Sequence, residues 1–203
     1  MSFLIEPPHA MHRHTKVLLV MDVVESVRLM EQDQDSFVQR WQQLVQHVKQ
    51  KILPRQGGRI VKSLGDGLML EFANAQSCVK AAFALQHFSQ QANVGWRAEQ
   101  QMHIRMGAHL ASFVTDQHDI YGTDVNLTVR FCTLAGPNEM VISAELRDLL
   151  VPGLDANIED LGECYLKHVE KPIHVYSIAP PGEGLHIRRL AQSVTASYAQ
   201  RLR

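Results

Sequence analysis

Five apolar residues in a row, Val17-Leu18-Leu19-Val20-Met21, run directly into Asp22 and then Val23-Val24. A short run rich in β-branched residues predicts a strand buried on both faces. A carboxylate at the end of such a strand does nothing for packing, so Asp22 is the first hint of chemistry. Over residues 34–52 the spacing changes: Phe37, Trp41, Leu44, Val45, Val48 and Ile52 fall on one face of a helix, which Pro54 and Gly57-Gly58 end. Two strand-like pieces follow, Arg59 to Leu64 and Leu68 to Phe72. Gly65-Asp66-Gly67 joins them, and an Asp-Gly step between apolar runs signals a hairpin. Asn74 can cap a second helix reaching about Gln91.

Residues 102–114 read as another strand, with a turn across Thr115 to Ile120. A helix from about Asp124 to Ala135 stops at Gly136-Pro137. Met140 to Ile142 predicts a short strand, Ala144 to Leu150 a short helix, and Cys164–Leu166 and Ile173–Ile178 the last two strands. The order β-α-β-β-α-β predicts an α+β fold, a ferredoxin-like split βαβ sandwich with C-terminal extensions. Residues 1–15 read as an N-terminal arm, 16–179 as one domain, and 180–203 as a tail or linker to a further domain or regulatory partner. Many functions share this fold, so the sites must name the activity.

Composition narrows the classes. The chain has 203 residues, 45% of them hydrophobic, enough for one sizeable core. Lys+Arg 20 against Asp+Glu 21 gives a formal net charge of -1, which argues against a nucleic-acid binder. The scattered cysteines Cys78, Cys132 and Cys164 form no CxxC or Cys/His metal spacing and read as thiols in a reducing compartment. His9, His12 and His14 read as part of the arm rather than as a metal site. No apolar stretch approaches a membrane span and no signal-peptide core is present, so the expectation is a soluble, cytoplasmic domain.

Asp22 and Asp66 end adjacent strands of the expected sheet, so their carboxylates can converge at one edge. Hard oxygen donors suit Mg²⁺ or Mn²⁺, which take further ligands from water and phosphate. Taken singly, each Asp is more often a turn or strand-end residue. Two longer motifs change that weighting. Residues 58–67, Gly-Arg-Ile-Val-Lys-Ser-Leu-Gly-Asp-Gly, carry Lys62, two intervening residues and then a Gly-Asp step. Residues 119–130, Asp-Ile-Tyr-Gly-Thr-Asp-Val-Asn-Leu-Thr-Val-Arg, carry Asp119 before a hydrophobic-aromatic-Gly step, then Val-Asn and an Arg four residues beyond.

Both motifs resemble those of class III adenylate and guanylate cyclase catalytic domains. The resemblance runs from about Lys16 to Ile178 and includes the ending Leu166-Lys167 and Pro172-Ile173-His174-Val175-Tyr176. It implies an adenylate cyclase that turns ATP into cyclic AMP and pyrophosphate with two divalent ions, Mg²⁺ or Mn²⁺. Asp22, Asp66 and Val23 then stand as metal ligands, Lys62 and Asp119 as the purine-reading pair, and Asn126 and Arg130 as catalytic residues. The resemblance further implies a head-to-tail homodimer in which one chain supplies the metal ligands and its partner the other four. Lys167 matches a phosphate contact, although a surface lysine is the simpler reading.

Chemistry favours the same roles. Adenine offers a ring-nitrogen acceptor and an amino donor that complement a Lys donor and an Asp acceptor. Guanine inverts that pattern, and a mismatched site leaves polar groups unpaired. Arg130 brings a permanent planar charge suited to phosphate, and Asn126, four residues earlier, shares its helix face. Taken alone, the two also read as a surface Arg and a local cap.

Two positions depart from the family pattern. Glu25 stands where a Gly is frequent, adding bulk and negative charge beside the expected phosphates, and Ala111 stands where another Gly is common. They motivate the alternative of a catalytically weak or inactive cyclase-like domain that binds nucleotide or dimerises. No GG[DE]EF-like run points to a diguanylate cyclase.

Overall fold

A computed structural model of the chain describes residues 12–117, 119–151, 154–166, 169 and 171–182. The tail after residue 182, the first eleven residues and Lys167 lie outside the described residues. Strand β1 (His12–Val23) begins before Lys16, so residues 12–15 of the expected arm are strand. Helix α1 (Ser26–Gln32), which the apolar pattern does not predict, precedes α2 (Gln34–His47), where the Asp33 carboxylate accepts the Ser36 N–H at 3.0 Å. The helix does not stop at Pro54. It continues through a π turn (Val48–Ile52) into α3 (Leu53–Gln56), ending where Gly57 adopts φ 64°. A proline clashes with the carbonyl four residues back in a regular helix. The wider turn before Pro54 gives its ring room.

The expected hairpin forms as β2 (Arg59–Ser63) and β3 (Gly67–Phe72), and α4 (Ala75–Ala92) starts at the Asn74 cap. Then come β4 (Ile104–Thr115), β5 (Ile120–Tyr121), α5 (Thr123–Leu134), β6 (Met140–Ser143) and α6 (Ala144–Asp148). Strand β7 (Asn157–Cys164) replaces the piece expected at Cys164–Leu166, and β8 (Ile173–Ala179) closes the fold. β7 was hidden because it is an edge strand with mostly solvated, acidic positions.

All eight strands form one sheet in the order β2-β3-β1-β4-β6-β8-β7, with β5 paired to β4. The part β2-β3-β1-β4 with its helices is the split βαβ sandwich, and β6 joins β4 in parallel after the α5 crossover. Alternation along β1 builds both cores. Val17, Leu19 and Met21 pack with α2, the π turn and α4, whereas Leu18 and Val20 pack with residues of α5 on the other face. Helix α5 sits very close to the sheet: a Cβ on Gly107 would lie 2.1 Å from the Cys132 nitrogen. Only glycine fits there.

Candidate active site

Register places Asp22 between Gly67 of β3 and Arg105 of β4. By alternation its side chain shares the α5 face with Leu18 and Val20. Arg105, directly opposite, donates from Nε at 3.1 Å and Nη2 at 2.7 Å to one oxygen of Asp22. The hairpin turn brings Asp66 to the same place, tied by the Val23 N–H to its carbonyl at 3.3 Å. Gly67 permits this approach, since a Cβ there would stand 2.7 Å from the Met21 carbonyl oxygen.

Partial burial pushes the Asp22 carboxyl above its ordinary range; Arg105 pulls the other way, while the charge and hydrogen bond of Asp66 push it further up. Two carboxyls held this close favour a shared cation or a shared proton. The donor set suits a hard divalent cation, and Val23 has only its carbonyl to add. Among the described residues no three His, Cys, Asp or Glu side chains cluster. Such an ion must therefore complete its shell from main chain, water or phosphate. Cys132 lies under the same pair, its thiol pushed up to about 12, chiefly by burial and then by the Asp22 charge. It is a neutral packing group.

The purine-reading candidates also meet. Lys62 Nζ lies 2.8 Å from both carboxylate oxygens of Asp119. That hydrogen bond, followed by one from the Ile120 N–H, holds the Asp119 carboxyl below its usual range. A backbone irregularity makes the meeting possible. Ile60 pairs with Leu70 and Lys62 with Met69, so Val61 is an extra residue in the ladder. Without it Lys62 would share the face of Ile60, toward α2. With it, Lys62 joins Met69 on the α5 face, where Asp119 waits.

Asn126 and Arg130 lie on α5, four residues apart, Asn126 exposed and Arg130 half-buried. The helix start is fixed by the Asp124 carboxylate, which accepts the Ser112 N–H at 2.8 Å. Among the described residues no hydrogen bond or ion pair engages either side chain, and none links the Asp22–Asp66 pair to the Lys62–Asp119 pair. Glu25 adopts φ 54°, a left-handed conformation that favours glycine. Its carboxylate turns to Arg28 Nε at 2.8 Å and stays 62% exposed. Arg105, the Val61 bulge and the Glu25–Arg28 pair were not anticipated. The opposite registers of β1 and β4 that expose Arg105 are long-range facts, invisible along the chain.

The family described as the adenylate and guanylate cyclase catalytic domain matches residues 10–180. This chain belongs to that family. A Rhizobium meliloti protein provisionally named adenylate cyclase 3 is 28% identical over 175 residues, covering 84% of this chain and 29% of that protein. The chain thus spans less than a third of that relative's length. The fold matches the adenylyl cyclase CyaB of P. aeruginosa with a TM-score of 0.75 at 21% identity, over 87% of this chain and 99% of the other. It also matches an adenylate/guanylate cyclase/hydrolase structure from Silicibacter pomeroyi with a TM-score of 0.71 at 24% identity, over 83% and 98% of the two chains. The cyclase fold is therefore the expected one, a mixed sheet with helices. Among the described residues no helix is long and apolar enough to cross a membrane.

Proposed function

We propose that this cyclase domain converts ATP into 3′,5′-cyclic AMP and pyrophosphate at sites shared between two copies of the chain. The Lys62–Asp119 pair carries the reading. It presents a cationic donor beside a carboxylate acceptor, the complement of the adenine edge, on the sheet face that also holds Asp22 and Asp66. Lys62 has three donors and spends two on Asp119, leaving one for the purine ring nitrogen, while Asp119 accepts from the amino group.

Asp22, Asp66 and the Val23 carbonyl would hold two Mg²⁺ or Mn²⁺ ions, which supply Lewis acidity to the 3′-hydroxyl and the triphosphate. In the reaction the ribose 3′-oxygen bonds to the α-phosphorus as the bond to the β-phosphate oxygen breaks. Pyrophosphate leaves and the hydroxyl proton passes to solvent. Asn126 orients the ribose and Arg130 stabilises charge on the α-phosphate, both reaching from the partner copy. Arg105 sits beside the metal carboxylates and is free to turn its fork toward phosphate once cations engage Asp22.

The test is product analysis after incubation with ATP or GTP and either Mg²⁺ or Mn²⁺. Cyclic AMP should dominate, and Asp66→Asn should lower its formation about a thousandfold, the rate equivalent of the several kcal/mol a bound cation supplies. Dimeric protein that makes neither cyclic nucleotide overturns the proposal. Preferential cyclic GMP formation overturns the purine assignment alone.

A further inference from the structure

The face of the β2–β3 hairpin opposite Asp66 and Lys62 carries a cleft of about 450 Å³ between the hairpin and the α2–π-turn helix. Its lining includes Trp41, Gln46, Lys49, Ile60, Ser63 and Leu68. Trp41, Val45 and Lys49 recur at intervals of four along the helix and so line one side of the cleft. One backbone irregularity shapes the other side. The Val61 bulge sets both Ile60 and Ser63 toward the cleft, one on each side of it, while turning Lys62 to the other face.

The lining chemistry defines the ligand. Lys49 is the one charged group lining the cleft, and among the described residues it carries no ion pair. The Trp41 ring and the Val45, Ile60 and Leu68 side chains form an apolar wall, and Gln46 and Ser63 add neutral hydrogen-bonding groups. A cleft of this size with a few convergent polar groups suits a small molecule.

From this geometry we infer that the cleft binds a small aromatic anion, a two-ring carboxylate or sulfonate, as an effector of the hairpin. The rings lie on Trp41 and the anionic group meets Lys49. Such a ligand touches Ile60 and Ser63, the two neighbours of the bulge that sets the facing of Lys62. Occupancy favours one arrangement of the bulge and so alters the Lys62–Asp119 contact across the sheet. Binding itself stands apart from the proposed cyclase reaction; only the coupling rests on it.

The experiment uses 8-anilino-1-naphthalenesulfonate as probe and N-phenyl-1-naphthylamine as its uncharged counterpart. Both are titrated against the full chain carrying Trp96→Phe, which leaves Trp41 as the indole reporter. The sulfonate should quench Trp41 with one saturable site and bind at least about tenfold more tightly than the amine, the worth of one charge-assisted contact. Lys49→Glu should remove that preference, and Ser63→Phe, which fills the cleft without adding an indole, should remove binding. Unfolding midpoints within those of the parent show that each variant remains folded. Equal binding of the two probes, or sulfonate binding that survives Ser63→Phe, overturns the site. Where binding holds, the sulfonate should change the ATP-to-GTP preference of turnover; an unchanged preference overturns the coupling and leaves the site standing. Absent turnover in saturated protein counts against the cyclase reading and not against the cleft.

Discussion

At the scale of single residues, the α5 face of the sheet gathers charged groups around a few buried ones. His109 is the buried histidine among the described residues, and the proposed chemistry does not use it. Its Nδ1 pairs with Ser143 Oγ at 2.8 Å and its ring meets Phe131 edge-on at 5.7 Å. Burial lowers its pKa, against the opposing charges of Asp124 and Glu145, so the folded protein holds it neutral. The unfolded chain takes up a proton near its ordinary value of about 6.5, and the fold resists until a lower pH. Stability is therefore retained above about pH 6.5 and falls as pH drops from there toward the folded pKa. Urea midpoints at pH 7.5 and 5.5 should show a steep fall for the parent. His109→Gln should be less stable at pH 7.5 yet lose less between the two values; an equal loss would remove His109 as the cause. His47 shifts in the same direction, chiefly through burial, so the variant flattens the profile without abolishing its slope.

Glu25 makes a different point about single residues. The bulk and charge feared at that position are directed to Arg28 in the exposed loop. What persists is a left-handed backbone, costing about 1–2 kcal/mol for a side chain with a Cβ against the about 0.5–1 kcal/mol of extra chain entropy that glycine loses. Glu25→Gly should therefore stabilise the domain by about 0.5 kcal/mol in urea titrations. It should change KM for ATP by less than about twofold, since the carboxylate is already turned away. A large fall in KM would show that Glu25 does face the triphosphate.

At the scale of elements, the decisive device is a bulge in a five-residue strand. Deleting Val61 restores regular pairing of β2 with β3 and leaves Lys62 directly after Ile60, so strict alternation keeps it opposite Met69 on the α5 face. The deletion variant should therefore keep both its circular dichroism spectrum and its preference for ATP over GTP, whereas Lys62→Ala should lower that preference at least about tenfold, as expected for a lost charged hydrogen bond. Retained selectivity in Lys62→Ala would mean that Lys62 does not read the purine. This element also marks the limit of what the chain reveals by itself. The β1 run, the Asp-Gly hairpin and the Asn74 cap were legible because local rules govern them: unbroken apolar length, turn chemistry and a side chain accepting the Ser77 N–H. The bulge, the π turn, α1 and the polar edge strand β7 were not. Each depends on which neighbour an element meets, and no short window of sequence records that. The site divides the same way. The motif residues could be named from their spacing, whereas Arg105 emerged only from its register against Asp22.

At the scale of the whole molecule, the proposed reading divides each site between two copies of the chain. Within one chain, the Asp22–Asp66 carboxylates and the Asn126–Arg130 pair share no hydrogen bond or ion pair among the described residues, and Asn126 is exposed. In an isologous pair, each copy presents both halves, so two complete sites arise from one two-fold axis. This makes a quantitative prediction for mixed variants. On the proposed roles, Asp66→Asn removes a metal ligand and Arg130→Ala a phosphate-stabilising charge, so each homodimer should be inactive. Mixed in equal amounts with free exchange, half of the dimers are heterodimers. Each heterodimer has one site with both defects and one with neither, which should restore about a quarter of the parent activity per chain. Sites contained within one chain would give no recovery at any mixing ratio. Recovery that rises and then declines as the ratio passes through equality, with a maximum near one quarter, is the signature of residues contributed across the two-fold axis.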